Sequence, residues 1–302
     1  MHRLNTRIFT QTAFYDLNLK LIFPMSTYAN YSKTSHVYDK TRSAASVDII
    51  RKKLEDWSLP LNQQTLVDAG CGTGLYSEAL VDDVQRIEAI DLNAEMLVIA
   101  RTKMKSAEQK GRICFHNSAI DTLPLEESIA DAVMINQVLH HLPDDSSAGW
   151  SEHAKVFREF ARVLKPGGRL IINSCSPEQL ESGFWFYNLI PDALQEMLKK
   201  TIGIGELDNL LQENGFTTMS REVPKDMVLQ GEAFFYSEGI LDPDWRSGDS
   251  IWSLVPEESL AAVLEKVSAM RRSGKLNAFM KSNDQTRKNT GQVTFSIASK
   301  TC

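Results

Sequence analysis

The chain of 302 residues has four cysteines and no cysteine pattern. Cys71, Cys114, Cys175 and Cys302 form no C-x-x-C pair and no Cys/His spacing typical of zinc sites. The sequence therefore predicts neither a disulfide framework nor a metal site. A reducing, cytoplasmic compartment fits such cysteine usage best.

Long apolar runs and an excess of positive charge are also absent. No apolar stretch approaches the roughly 20 residues that span a bilayer, so we expect no transmembrane helix. Lys and Arg number 33 against 39 Asp and Glu, which gives a net charge of -6. Because such a surface has no basic region for a phosphate backbone, we expect a small-molecule partner rather than nucleic acid. A protein partner stays open.

The first 24 residues differ in composition from the rest. They contain Arg3 and Arg7 and no acidic residue before Asp16. Two interpretations stay open: a mitochondrial transit peptide, or an over-extended start upstream of Met25.

Strand and helix patterns alternate from Thr65 onward. Near-continuous apolar runs at Thr65–Ala69, Arg86–Asp91 and Ala130–Asn136 are typical of buried parallel strands. The stretch Glu152–Leu164 has the apolar stripe of an amphipathic helix. This alternation predicts an α/β fold with helices on both faces of a sheet.

A glycine-rich turn follows the first strand. Gly70, Gly72 and Gly74 are spaced G-x-G-x-G, and the first of them is two residues after Asp68. Open α/β sheets bind ligands at the carboxyl ends of their strands, and a turn without Cβ atoms lets a ligand lie against the backbone. Dinucleotide-binding proteins use G-x-G-x-x-G instead.

An acidic residue ends the second strand. Asp91 lies 17 residues after Gly74, close to the spacing of about 20 at which an acid reaches ribose hydroxyls. A carboxylate accepts both vicinal hydroxyl protons. Asp91 as a simple helix cap is the alternative.

The motif VDAGCGTG resembles the first motif of class I S-adenosylmethionine-dependent methyltransferases, and in particular the small-molecule type 11 methyltransferase-domain group. DLNAEML, NQVLHHL and VLKPGG resemble the later motifs, in order, between Thr65 and Asn173. The resemblance implies S-adenosylmethionine as cofactor and methyl transfer as activity. It also implies a doubly wound, mainly parallel seven-stranded sheet with an antiparallel last strand and helical insertions after strands five and six.

The resemblance also implies a division of the chain. We expect an N-terminal extension over residues 1–40, partly flexible, and a methyltransferase domain over 41–302. Within that domain, residues 60–175 are the expected cofactor-binding core. The segments at about 176–205 and 225–289 are the expected substrate covers.

Carried over by position, the motifs imply a set of cofactor-binding residues. The adenine contact departs from the family pattern, because Ala119 stands where an acid is usual, with Ser118 and Asp121 on either side. The implied set is Asp68, Gly70, Cys71, Gly72, Gly74, Asp91, Leu92, Met96, Ser118, Ala119, Asn136 and Gln137.

Catalytic and acceptor-binding residues are harder to assign. His140 and His141 are candidates for a general base, with His141 favoured by family position, because imidazole titrates near neutral pH; a structural pair is the alternative. Tyr38 and Arg42 resemble an entry segment of related enzymes. Trp185 and Tyr187 are aromatic candidates for contact with the acceptor.

Two other functions stay open at this point. An oxidoreductase with a nicotinamide or flavin cofactor also uses a strand, a glycine turn, a helix and an acid, although with different glycine spacing. A catalytically silent protein with an assembly or regulatory role is the second alternative, because a fold alone does not establish an activity.

Overall fold

A computed structural model describes residues 44–301 of the chain. Seven strands form one sheet in the order β3-β2-β1-β4-β5-β7-β6. The strands are β1 (Thr65–Ala69), β2 (Arg86–Asp91), β3 (Ile113–Asn117), β4 (Ala130–Asn136), β5 (Leu164–Ser174), β6 (Phe216–Glu222) and β7 (Thr294–Lys300).

The directions of the strands confirm the predicted fold. Strands β1 to β5 pair in parallel, and β7 runs antiparallel to both of its neighbours, β5 and β6. The strand order reverses between β1 and β4, which makes the carboxyl ends of these two strands the switch point where such sheets bind ligands.

Helices surround the sheet and fill the insertions. None of the helices formed by residues 44–301 has the length and apolar character that crossing a membrane requires. The α-helices are α1 (Val47–Glu55), α2 (Leu75–Leu80), α3 (Ala94–Lys103), α4 (Lys105–Gln109), α5 (Ser151–Val163), α6 (Pro177–Ser182), α7 (Pro191–Lys199), α8 (Ile204–Glu213), α9 (Pro243–Ser247), α10 (Glu257–Arg272), α11 (Leu276–Asn283) and α12 (Arg287–Thr290).

Alternate residues of each strand enter two different cores, because successive side chains point to opposite faces of the sheet. Leu66, Ile87 and Met134 belong to the core on one face, which we call the first face. Val67, Ile90 and Val133 belong to the core on the second face, together with residues of α5 and α8. The connection between β3 and β4, residues 118–129, contains no helix.

The segments 176–205 and 225–289 share one aromatic cluster. The ring of Phe186 lies 5.1 Å from that of Trp245 and 6.1 Å from that of Trp252, measured between centroids. All three rings are buried. These contacts join the two predicted insertions above the carboxyl ends of the strands.

Three elements differ from what the sequence pattern predicts, which is one helix over Ala94–Lys105, a fifth strand over Arg169–Asn173 and a helical aromatic segment over Pro177–Lys200. The helix expected after β2 ends at Lys103, and α4 follows separately. Strand β5 begins at Leu164 rather than Arg169, with a register shift against β4 between Ala130 and Ala132. The aromatic segment expected as one helix is divided into α6, a 3-10 turn at Trp185–Leu189, and α7, which begins at Pro191.

Candidate functional site

The glycine turn after β1 has three left-handed residues. Gly70, Gly72 and Gly74 have φ angles of 77°, 55° and 79°, a region that favours glycine. A Cβ at Gly70 would lie 2.6 Å from a methyl carbon of Val138, and one at Gly74 would overlap Met104. A Cβ at Gly72 would meet no atom of residues 44–301 within 4 Å. Gly70 and Gly74 therefore permit packing, whereas Gly72 faces open space that a ligand can fill.

Asp91 at the end of β2 holds this turn. Its Oδ2 accepts a hydrogen bond from the backbone N–H of Gly72 at 2.7 Å, and its Oδ1 accepts one from Asn93 at 2.8 Å. The N–H groups of Gly70 and Cys71 both donate to the carbonyl of Ile90. The second strand thus fixes the conformation of the turn. Cys71 is half-buried within it.

Two buried carboxyl groups of the site, those of Asp68 and Asp91, have raised pKa values. Asp68 accepts a 2.6 Å hydrogen bond from the hydroxyl of Ser77. Burial raises the pKa of Asp68 to about 7, although the bond from Ser77 works in the opposite direction. Burial likewise raises the pKa of Asp91 to about 6, against the lowering effect of the Asn93 and Gly72 N–H groups. A cation bound between them would favour the ionised forms of both.

The residues expected at the adenine lie along the next two strand ends. Leu92 is half-buried and Met96 is buried in α3, whose first turn is capped by the side chain of Asn93. Ser118 and Ala119 follow β3 and are half-buried. The Ser118 hydroxyl donates to the carbonyl of Thr122, and its backbone N–H donates to the carbonyl of Asp91.

The end of β4 presents a polar side chain that has no partner within the part of the chain that the structure describes. Ala69 pairs with Ile135, so Asn136 lies beside the start of the glycine turn. Both polar atoms of the Asn136 amide are buried, and neither has a hydrogen-bond partner among the described residues. Buried polar groups are nearly always hydrogen-bonded. Together with the open space at Gly72, this amide fits a site for a polar ligand such as S-adenosylmethionine.

Gln137 follows with a left-handed backbone, φ 56°. Such a conformation is uncommon outside glycine and clusters at ligand sites. Its side-chain amide donates to Oδ1 of Asn173 at 3.0 Å, and the Asn173 amide donates to the hydroxyl of Tyr76 at 3.0 Å. This network connects the ends of β4 and β5.

A cleft that is partly open to solvent lies after the end of β4, and Gln137 is part of its wall. His140 and His141 both line it, in a 3-10 turn after β4, with ring centroids 4.1 Å apart. About half of the lining is apolar, and the rest is polar and includes Ser174, Thr201 and Ser250; these residues come from the ends of β5 and α7 and from the two insertions. The wall includes Leu139, Leu180, Phe184, Tyr187, Met197, Ile202 and Leu229, with Lys200 and Asp249 as charged members.

The residues that were expected to contact the methyl acceptor lie in different parts of the structure. Tyr187 lines the cleft, and its hydroxyl donates to Asp249 at 3.2 Å. Trp185 is fully buried, and its indole N–H donates to the carbonyl of Phe234 at 2.9 Å. Trp185 therefore lies in the aromatic cluster and not on the cleft wall. Tyr38 and Arg42 lie outside the described residues.

Sequence reasoning missed two residues of this region. Asn173 ends a strand and bonds to Gln137, a position that strand-end reasoning could have identified. Asp249 comes from the long segment before β7 and reaches Tyr187 across 62 residues. No local pattern marks Asp249.

Comparisons with known proteins agree with this geometry. Residues 67–172 match the family described as Methyltransferase domain. The chain is 27% identical over 214 residues to a demethylmenaquinone methyltransferase of Bacillus pumilus, covering 63% of this chain and 88% of that protein. It is 33% identical over 129 residues to a ubiquinone biosynthesis O-methyltransferase of Xylella fastidiosa, covering 42% of this chain and 46% of that protein.

The fold has a solved counterpart. A protein of Anabaena variabilis, assigned as a methyltransferase of an antibiotic biosynthesis pathway, superposes with a TM-score of 0.63 at 20% identity, covering 87% of this chain and 99% of that chain. At 20% sequence identity, this similarity is evidence for a shared fold only. The family match, together with the G-x-G-x-G turn, disfavours an oxidoreductase. Residues 67–172 are therefore a methyltransferase domain, the fold is Rossmann-like, and the chain is an S-adenosylmethionine-dependent methyltransferase.

Proposed function

We propose that this enzyme methylates a small acceptor with both an apolar and a polar part, which binds in the cleft after β4 and β5. The observation that carries the proposal is the composition of the cleft wall, in which aliphatic and aromatic side chains and polar side chains occur in about equal numbers. Small-molecule sites typically combine apolar walls with polar groups that orient the ligand, and this wall contains both kinds of side chain.

The position of the cleft supports the same proposal. Val138 packs against Gly70, and its neighbour Gln137 begins the cleft wall. An acceptor in the cleft would therefore sit next to a cofactor bound at the glycine turn. We propose that the twelve residues implied by the motifs form that cofactor site, with Asp91 on the ribose and Asn136 supplying an amide that no other described residue binds.

The bound cofactor supplies an electrophilic methyl group on a sulfonium. The protein's part is to align an acceptor atom with that methyl group and to exclude water, effects worth roughly 7 to 11 kcal/mol in well-oriented systems. An acceptor hydroxyl must also lose its proton. We propose that the His140–His141 pair takes this proton, with His141 as the first candidate.

The relatives favour an aromatic ring as the acceptor. One is named a demethylmenaquinone methyltransferase and the other a ubiquinone biosynthesis O-methyltransferase. Phe184 and Tyr187, whose rings stack on each other at 4.5 Å with a 10° interplanar angle, both line the cleft. An acceptor ring that bears a hydroxyl group would pack beside them in the cleft that the two histidines also line.

The test is a panel of acceptors incubated with enzyme and S-adenosylmethionine, followed by mass spectrometry for products that gain one methyl group. The panel contains phenols, catechols and hydroquinones, the same compounds with blocked hydroxyls, and polar acceptors such as amino acids. We expect methylated products from the first group. Methylation of polar acceptors alone would contradict the proposed class, and no product from any acceptor would favour the catalytically silent alternative.

A further inference from the structure

We propose that Glu88, Cys114 and His116 form a binding site for a transition-metal dication, with Zn²⁺ as the best-suited ion. The potential ligand atoms of these three side chains all lie within 4.8 Å of one another. The site is separate from the cleft and from the glycine turn, and it is independent of the proposed acceptor.

Strand register brings the three side chains together. Glu88 on β2 pairs with Cys114 on β3, and Ile90 pairs with His116. Cys114 and His116 are two residues apart on one strand, so they point to the same face of the sheet. This is the second face, to which Ile90 also belongs. The parallel pairing therefore fixes all three ligands on one small area.

This part of the second face differs from the rest of the sheet. Residues 118–129, which connect β3 to β4, form no helix. The His116 side chain is 21% exposed and Cys114 is half-buried, whereas the Glu88 side chain is only 5% exposed. An ion can therefore enter from solvent and keep a water molecule as fourth ligand, as zinc sites with three protein ligands do.

Hydrogen bonds with Arg86 and His116 orient the carboxylate of Glu88. Arg86 donates to Oε1 at 2.5 Å, which leaves Oε2 facing Nε2 of His116 at 2.7 Å. An ion between these two atoms would replace their hydrogen bond. With metal–ligand distances of about 2.0 to 2.2 Å and tetrahedral angles, the two atoms would move apart to roughly 3.3 Å. Small side-chain rotations suffice for that change.

The donor set selects the class of ion. One imidazole nitrogen, one thiolate sulfur and one carboxylate oxygen suit Zn²⁺ and its neighbours in the first transition row, whereas Mg²⁺ and Ca²⁺ prefer oxygen alone. A bound ion would connect β2 and β3, the two strands that end in Asp91 and Asn117. We therefore expect it to stabilise the adenosine side of the cofactor site.

The test uses the full chain without an affinity tag, stripped with a chelator and titrated with Co²⁺ alone. We expect one Co²⁺ per chain, a thiolate-to-cobalt charge-transfer band in the near ultraviolet, and displacement by Zn²⁺. Cys114→Ser should abolish the band, and Glu88→Gln should weaken binding at least about tenfold. Cys175→Ser, the matched control, should keep the band. No band in the native chain, or a band that survives Cys114→Ser, would overturn the site.

A second measurement needs no variant and so does not depend on the folding of Cys114→Ser. The rate of alkylation of each cysteine by iodoacetamide is followed by peptide mass spectrometry with Zn²⁺ or Mg²⁺ present. Zn²⁺ should slow alkylation of Cys114 at least about tenfold, because a metal-bound thiolate is shielded, and should leave Cys175 unchanged. Equal rates for Cys114 in both ions would refute the proposal.

Discussion

The carboxylate of Asp91 accepts a 2.7 Å hydrogen bond from the backbone N–H of Gly72 and so connects the end of β2 to the turn that follows β1. Its other oxygen accepts from the N–H of Asn93. Each carboxylate oxygen has a further lone pair, so two ligand hydroxyls can still bind. One side chain therefore shapes the turn and presents acceptors to the ligand.

Replacement of Asp91 should affect cofactor binding first. Hydrogen bonds to a charged group are worth roughly 1.5 to 3 kcal/mol each, so Asp91→Ala should raise the Kd for S-adenosylmethionine and S-adenosylhomocysteine by about 10- to 100-fold or more. Isothermal titration calorimetry measures both constants. Asp82→Ala, at an exposed carboxyl after α2, is the control and should leave them unchanged. Unaltered affinity in Asp91→Ala would remove this residue from the site.

The three glycines should respond differently to alanine. Gly72→Ala adds a methyl group to open space, so we expect a stability loss of only about 1 to 2 kcal/mol from its left-handed backbone but at least tenfold weaker cofactor binding. Gly70→Ala places a methyl group against Val138, so it should lose about 1 to 3 kcal/mol more. Urea unfolding and calorimetry separate the two effects.

Val138→Ala provides the matched control for Gly70. In the double variant the added methyl group finds space, so the clash part of the loss should be recovered while the backbone part remains. If the two losses simply add, contact with Val138 is not the reason for the glycine. If Gly72→Ala binds cofactor normally, the open space beside it is not the ligand site.

The sequence predicted the strands around the switch point at their observed residues. Thr65–Ala69, Arg86–Asp91 and Ala130–Asn136 are buried on both faces, so each reads as an apolar run bounded by polar or glycine residues. The glycine turn and Asp91 were also predicted, because each is recognised from residues that lie close to it in the sequence.

Features that depend on tertiary contacts could not be predicted in this way. Tyr187 and Trp185 are two residues apart and both aromatic, yet one lines the cleft and the other is enclosed, since their surroundings come from the segment 225–289. The cluster of Glu88, Cys114 and His116 was also not predicted from the sequence. Its third ligand comes from another strand, and only the register between β2 and β3 reveals it.

Stability should depend on pH through Asp68. The pKa of this carboxyl is raised to about 7 in the folded protein, whereas an unfolded Asp titrates near 4. Between these values the folded state holds a proton that the unfolded state has released. The free energy of unfolding therefore falls as pH rises through this window, by up to about 1.4 kcal/mol per pH unit for one proton.

Asp68→Asn should flatten this dependence, because an amide does not titrate. Urea unfolding at about pH 5 and about pH 6.5 gives the slope for each protein. Asp91 contributes to the lower part of the window and should preserve some slope in the variant. Asp82→Asn is the control and should match the native slope. A native slope in Asp68→Asn would mean that Asp68 is not the proton-binding group.

His141 should act in catalysis and not in cofactor binding. If the acceptor loses a proton during transfer, His141→Gln should lower kcat by about 10²- to 10⁴-fold and leave the cofactor Kd unchanged. The loss should shrink at high pH, where the acceptor ionises without help. His140→Gln, measured in parallel, shows which ring of the pair accepts the proton. Full activity in both variants would make the pair structural.

Tyr187 and Trp185 provide a paired test of where the cleft wall ends. Tyr187→Phe removes the hydroxyl that bonds to the buried Asp249, so it should raise the acceptor KM severalfold and lower the unfolding free energy by only about 0.5 to 1.5 kcal/mol, because Asp249 keeps donors from Gln230 and Ile251. Trp185→Phe leaves the buried carbonyl of Phe234 without its donor and should cost about 1 to 3 kcal/mol, with an unchanged KM. Each variant controls for the other, because both retain an aromatic ring. The reverse pattern would place the acceptor in the aromatic cluster and not in the cleft.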